Sequence, residues 1–267
     1  MIRKSIIKRK LAAGENVLTT KLSFNDSNLV EMVSMMGFDA IWLCNEYRPI
    51  NPTTLEDMVR AVRTGGADSI VRIGRTCHDI IPLVLSMGAN GIMVPRVQTA
   101  KHAKRVIDRI KFPPQGKRDF EHIGSDADLG LMPPPQYLQE SNDESLVVLQ
   151  IEDKKGMKNL DEIAAVEGID ILFFGPGDFS LDYGIPCQPK HPKVIQAIDR
   201  VVKACEENGL ACATPAIDPE HGKLLLDHGV RMLADGSDWG LLVRGFRQIR
   251  ETYRDIGFQF REERETH

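Results

Sequence analysis

MMGFDAIWL (35–43), SMGANGIMV (86–94), VEGIDILFF (166–174), ENGLACATP (207–215) and DHGVRMLAD (227–235) repeat one phrase: an amphipathic stretch, a glycine, two or three residues, then a short apolar run. Each reads as a helix stopped by Gly37, Gly88, Gly168, Gly209 or Gly229 in the left-handed conformation and followed at once by a buried strand. Strands written as unbroken apolar runs belong to parallel sheets whose outer face is covered by helices. Working outward from these phrases, strands are predicted at 17–21, 40–44, 69–72, 91–94, 147–151, 171–174, 211–214 and 232–235. Helical patterns fall at 27–36, 54–62, 79–87, 100–110, 159–166, 192–208, 219–227 and 239–256. Strand-then-helix units in this number predict an α/β chain closed as a (β/α)8 TIM barrel, with an open doubly wound sheet as the competing architecture.

The chain has 267 residues and 34 basic against 38 acidic side chains, a net charge of −4. That length suits one large core, so 1–257 reads as a single barrel domain and 258–267 as a charged, frayed tail. The acid excess argues against a nucleic-acid or anionic-membrane binder. No secretory signal and no membrane-spanning run is evident, and Cys44, Cys77, Cys187, Cys205 and Cys212 lack any C-x-x-C spacing, which reads as a reduced, cytoplasmic setting. Residues 111–145, with FPPQGKRDFEHIGSDADLG and MPPPQ, are too long for an idle connection and read as a lid, a site wall or a subunit contact.

In such a barrel the C-terminal strand ends share one cavity. The predicted ends bring Lys21, Cys44-Asn45-Glu46-Tyr47, Arg72, Gln150-Ile151-Glu152-Asp153, Gly175-Pro176-Gly177-Asp178, Thr214-Pro215 and Asp235-Gly236-Ser237-Asp238 to it. Glu152 and Asp178, on adjacent strands with no histidine nearby, suit a hard divalent ion, Mg²⁺, Mn²⁺ or Co²⁺; solvent pairing or helix capping is the plainer alternative. Arg72 suits an anionic substrate or an ion pair across the mouth. The Gly-Pro-Gly-Asp turn can present backbone N–H groups to a carboxylate, or be an ordinary turn. No P-loop, dinucleotide fingerprint or nucleophile elbow is present.

With these residues assembled, the chain resembles the class II pyruvate-type aldolases of the HpcH/HpaI family over about residues 5–255. The resemblance rests on LAAGENV (11–17), MGFDAIWLCNEYRP (36–49), IVRIG (70–74), MGANGIMVPRVQTA (87–100), PPQGKR (113–118), the run 147–180 and AIDPE (216–220). It implies a barrel of the phosphoenolpyruvate/pyruvate type and a carbon–carbon lyase acting on a small α-keto acid. It also implies a divalent metal on Glu152 and Asp178, keto-acid binding by Gln150 and the backbone around Gly177 and Asp178, enolate stabilisation by Arg72, and a homo-oligomer, commonly a hexamer.

The chain departs from that pattern where a proton is moved. The family's general-base histidine falls on Tyr47, and its supporting aspartate on Ser86. A tyrosine, with an ordinary pKa near 10, is a weak base at neutral pH, so a base-dependent step is expected to slow about 10²–10⁴-fold. Lys21 would lower the phenol's pKa if close. Three readings follow: a metal-dependent lyase with altered base chemistry on Tyr47 or Glu46, within it a base-independent decarboxylase of oxaloacetate-type β-keto acids; a non-catalytic keto-acid binder; and a Schiff-base aldolase on Lys21, against the plainer reading of a solvated lysine. His78 and His122 are weaker replacement bases. Trp42 reads as packing, Asp235, Ser237 and Asp238 as the organisers of the last turn, and Arg118 as the arginine of a Gly-x-Arg loop altered by Asp119.

Overall fold

The computed structural model describes residues 3–48 and 50–261. Helix α1 (Ile6–Ala12) precedes β1 (Val17–Leu22), α2 (Ser27–Ser34), β2 (Ala40–Cys44), α3 (Pro52–Gly65), β3 (Asp68–Arg72), a 3₁₀ turn (His78–Ile80) and α4 (Ile81–Ser86). Next come β4 (Gly91–Val94), α5 (Ala100–Ile110), a second 3₁₀ segment (Ser125–Gly130), α6 (Pro134–Glu144), β5 (Leu146–Ile151), α7 (Lys154–Lys158), α8 (Leu160–Ala164) and β6 (Ile171–Phe174). The chain continues through α9 (Pro176–Asp182), α10 (Pro192–Glu207), β7 (Ala211–Pro215), α11 (Pro219–Asp227), β8 (Met232–Ser237) and α12 (Asp238–Asp255). The strands form a closed parallel barrel in sequence order, β8 pairing back onto β1, so the open-sheet alternative is set aside. Every predicted strand is present with its ends displaced by at most two residues.

The strands are buried on both sides, which is why they read as unbroken apolar runs. One set of side chains, including Val17, Trp42, Ile70, Met93, Val148 and Phe173, fills the barrel with Ile7 of α1. The alternate set, including Ile41, Val71, Ile92, Leu149 and Leu172, meets the surrounding helices. The helix-stopping glycines all have positive φ, from 68° at Gly209 to 99° at Gly88, the region where a Cβ is costly. Helix starts follow local chemistry: Asp26, Asn51, Thr99 and Asp218 each accept an N–H of the first turn through the side chain.

Several expectations are corrected. Helix α1 was not anticipated; it packs under the barrel, where buried Asp68 accepts from Ser5 Oγ at 2.7 Å and the Ile7 N–H at 3.1 Å. Residues 111–145 are no lid over this chain's own mouth. Glu144 accepts the Ser5 N–H at 2.7 Å and the Ser125 carbonyl accepts from Arg63 at 3.1 Å, which fixes the insert at the opposite end. Arg118 is buried within it, donating to Asp126 at 2.8 Å and Ser141 at 3.2 Å. At the start of the tail the Phe258 N–H donates to the Tyr253 carbonyl at 3.0 Å, while 262–267 lie outside the described residues. Helix α12 buries only Asp238, leaving Leu242, Phe246, Ile249 and Tyr253 exposed. Among the described residues no helix is long and apolar enough to cross a membrane.

Candidate active site

Parallel register delivers the first group of mouth residues. Cys44 and Arg72, the last residues of β2 and β3, are paired neighbours, and Gln150 reaches the same level from β5. Arg72 is buried and donates from Nη2 to Cys44 Sγ at 3.0 Å and from Nη1 to Gln150 Oε1 at 3.4 Å. Its Nε lies 3.1 Å from Glu46 Oε2, a charge contact off the hydrogen-bond line. The guanidinium carbon sits 4.7 Å from the centre of the Trp42 ring and 5.2 Å from that of Tyr47. A buried cation is tolerable only with such partners, and this set leaves it fixed in the cavity rather than solvated. Burial opposes ionisation of the Cys44 thiol, but the adjoining Arg72 outweighs it and the pKa falls below its ordinary value.

The carboxylates form the second group. Glu152, just past β5, is buried; its Oε1 accepts the Arg96 N–H at 2.9 Å. Asp178, in the first turn of α9, accepts from Arg96 Nη2 at 2.8 Å. Burial, then the charge of Asp178, pushes the Glu152 pKa up to about 7. Burial likewise raises that of Glu46 against the pull of Arg72. Gly175 is required by this packing, since a Cβ there would fall 2.5 Å from Glu152 Oε2. Two hard oxygen donors, one of them buried beside a like charge, fit a divalent ion that keeps water or substrate oxygens elsewhere. Among the described residues no third histidine, cysteine or acid joins them.

Other predicted residues fall out differently. Tyr47 is 63% exposed, and burial of its remainder together with the charge of Glu46 raises its phenol above the ordinary value. Lys21 is not the influence that lowers it: the ammonium lies over Trp42 at 5.2 Å, its own pKa lowered by burial, which also corrects the solvated reading. Ser86 closes α4 at the end of the barrel away from Tyr47, against Gly124 of the insert, so one chain does not bring those two positions together. His78 meets His102 at 3.1 Å between Nε2 atoms, and His122 contacts the Met132 carbonyl, so each is held by partners other than Arg72, Glu152 and Asp178.

Gly-Pro-Gly-Asp is the start of α9 rather than a free turn, with open space where a Gly177 Cβ would point. Trp42 packs edge-on against Phe173 at 5.3 Å, as expected. Ser237 caps α12, and Asp238 accepts the Ser23 and Phe24 N–H groups at 2.5 and 2.7 Å, tying the last turn to the first. Arg96 was missed. Its signal was an arginine two residues past the predicted fourth strand, whose end was left out of the reckoning at the mouth.

The sequence profile of the HpcH/HpaI aldolase/citrate lyase family matches residues 22–245. The chain is 32% identical over 237 residues to a 4-hydroxy-2-oxo-heptane-1,7-dioate aldolase of Escherichia coli, covering 89% of this chain and 90% of that protein. It is 28% identical over 243 residues to a hydroxypyruvate/pyruvate aldolase of Roseobacter denitrificans, covering 91% and 94%. The crystal structure of an HpcH/HpaI aldolase from Desulfitobacterium hafniense superposes with a TM-score of 0.89 at 28% identity, over 95% of this chain and 99% of that one.

Proposed function

This chain belongs to the HpcH/HpaI aldolase/citrate lyase family as a carbon–carbon lyase of the class II aldolase type, and from that premise we propose that it acts on a small α-keto acid through a pyruvate enolate, with weakened base chemistry. The observation that carries the reading is Arg72, buried and aimed into the mouth by Cys44, Gln150 and Glu46 beside the Glu152–Asp178 pair. Gln150 and the backbone around Gly177 and Asp178 orient the keto acid, and Arg72 donates to the oxygen that becomes the enolate. A divalent ion, Mg²⁺, Mn²⁺ or Co²⁺, held by Glu152 and Asp178 would supply positive charge against the enolate.

The proton is the weak point. Aldol cleavage needs the 4-hydroxyl proton removed as the C3–C4 bond breaks. Tyr47, with its pKa raised, stays protonated at pH 7 and serves better as a donor, which leaves Glu46 as the better placed acceptor. Decarboxylation of an oxaloacetate-type acid needs no base: the bond from C3 to the departing carboxylate breaks, its electron pair becomes the enolate, and CO₂ leaves. We therefore expect decarboxylation to be the faster reaction.

The test is to assay metal-loaded protein with oxaloacetate and a panel of 4-hydroxy-2-keto acids, beside Glu152→Ala and Tyr47→His. Oxaloacetate turnover lost in Glu152→Ala, with aldol cleavage raised in Tyr47→His, supports the reading. Turnover indifferent to Glu152 overturns it, and pyruvate or oxalate binding without turnover of any substrate favours a non-catalytic binder. Homo-oligomerisation, as a hexamer, belongs to the same proposal, and the exposed apolar face of α12 supports it.

A further inference from the structure

Arg96 touches both carboxylates of the candidate metal pair, one through its backbone and the other through its side chain. Its N–H donates to Glu152 Oε1 at 2.9 Å, and its Nη2 donates to Asp178 Oδ1 at 2.8 Å. It does so at a backbone φ of 50°, in the left-handed region that a side-chain-bearing residue enters at a cost. The conformation is pinned from the far side by the Val97 N–H, which donates to the Gln150 carbonyl at 3.0 Å. The strain is thus spent at the one connection that faces both acids.

A guanidinium and a divalent ion seek the same oxygens for the same reason. Asp178 Oδ1 cannot accept the guanidinium at hydrogen-bond distance and bind a cation about 2 Å away without pressing two positive charges together. The Arg96 side chain is 39% exposed, so the path by which it leaves is open to solvent. We infer that Arg96 is a resident counter-cation of the Glu152–Asp178 pair, which an incoming divalent ion must displace from Asp178, so that this residue sets the metal affinity and holds the pair in shape when no ion is bound. The inference rests on the proposed metal role of those two carboxylates. Its consequence is a site that takes its ion weakly and exchanges it readily.

The experiment is Mn²⁺ binding to chelator-stripped full-length protein, followed by calorimetry and by the electron paramagnetic resonance of free Mn²⁺. Arg96→Met, which removes the charge and keeps the bulk, is expected to bind Mn²⁺ at least ten-fold more tightly than wild type. Arg96→Gly, which also relieves the backbone, is expected to do the same, and Arg96→Lys to fall between. Added Mn²⁺ is expected to raise the melting temperature of Arg96→Met more than that of wild type, a readout independent of activity. Equal affinity in wild type, Arg96→Met and Arg96→Gly overturns the inference while leaving the metal pair intact. Tight binding that survives in Arg96→Met/Glu152→Gln overturns the metal pair itself.

Discussion

The guanidinium of Arg72 is engaged at all three nitrogens, Nη2 by Cys44, Nη1 by Gln150 and Nε by Glu46, with Trp42 behind it. A lysine ammonium is a point charge on a flexible stem and cannot hold this planar, spread-out set of contacts, so Arg72→Lys keeps the charge and loses the aim. We expect kcat for oxaloacetate decarboxylation to fall by about 10²–10³ in Arg72→Lys, measured by pyruvate release at saturating substrate. An unchanged kcat would remove Arg72 from the chemistry. Gly175 is constrained from the other side: alanine there meets Glu152 Oε2 at 2.5 Å and must push the carboxylate aside. Gly175→Ala is expected to lower activity at least about ten-fold, the scale on which a misplaced supporting group tells, with far-ultraviolet circular dichroism unchanged. Residue identity made Arg72, Glu152 and Asp178 legible in the sequence, because strand ends converge in a barrel. The direction of the Tyr47 shift and the company kept by Lys21 were not legible, since both depend on which neighbours come within a few ångströms.

Elements were readable to the extent that their sequence spoke a single period. Strands buried on both faces left apolar runs, and the glycines after the helices marked their starts. Helix α1 was hidden because Lys8, Arg9 and Lys10 interrupt its apolar positions, although Ile7 and the Ser5 cap carry its burial. Helix α9 was hidden because Pro176 and Gly177, which suit a first helical turn, also spell a bend. The insert was recognised by its length, but of its three readings only the lid over this chain's own mouth is set aside, since nothing in its composition points to Ser5 or Arg63. Its stability has a pH signature through Lys111, which is buried and donates to the Asn142 and Ser145 carbonyls at 2.6 and 2.7 Å. Burial, followed by the nearby Lys8, lowers its pKa to about 8. Unfolded, the amine titrates near 10.4, so between roughly pH 8 and 10.4 the unfolded chain holds the extra proton and stability rises with pH. Relative to Lys111→Met, the wild type is expected to gain up to about 3 kcal/mol across that window in urea titrations. A flat difference would mean that the amine titrates in the folded protein as it does in the unfolded chain, solvated and unshifted.

At the scale of the whole molecule the barrel is covered by its own helices except where α12 stands off. Leu242, Phe246, Ile249 and Tyr253 recur at helical spacing on one face of that helix, and Phe246 is 63% exposed. We expect Phe246→Asp/Ile249→Asp to shift the protein to a smaller species in size-exclusion chromatography with light scattering, while the monomer keeps its circular dichroism. A wild-type protein that is monomeric at all concentrations would refute the proposed assembly. Ring closure carries a consequence for how the chain is made. Val17 finds its outer partner only in Met232, and Ser23 gives its N–H to an aspartate 215 positions downstream. While the ribosome is still adding residues short of that point, the hoop stands open with two unpaired margins, each a template for a neighbouring nascent strand. A stop codon a few codons before Met232 should therefore yield sticky, insoluble product rather than a slightly shortened enzyme.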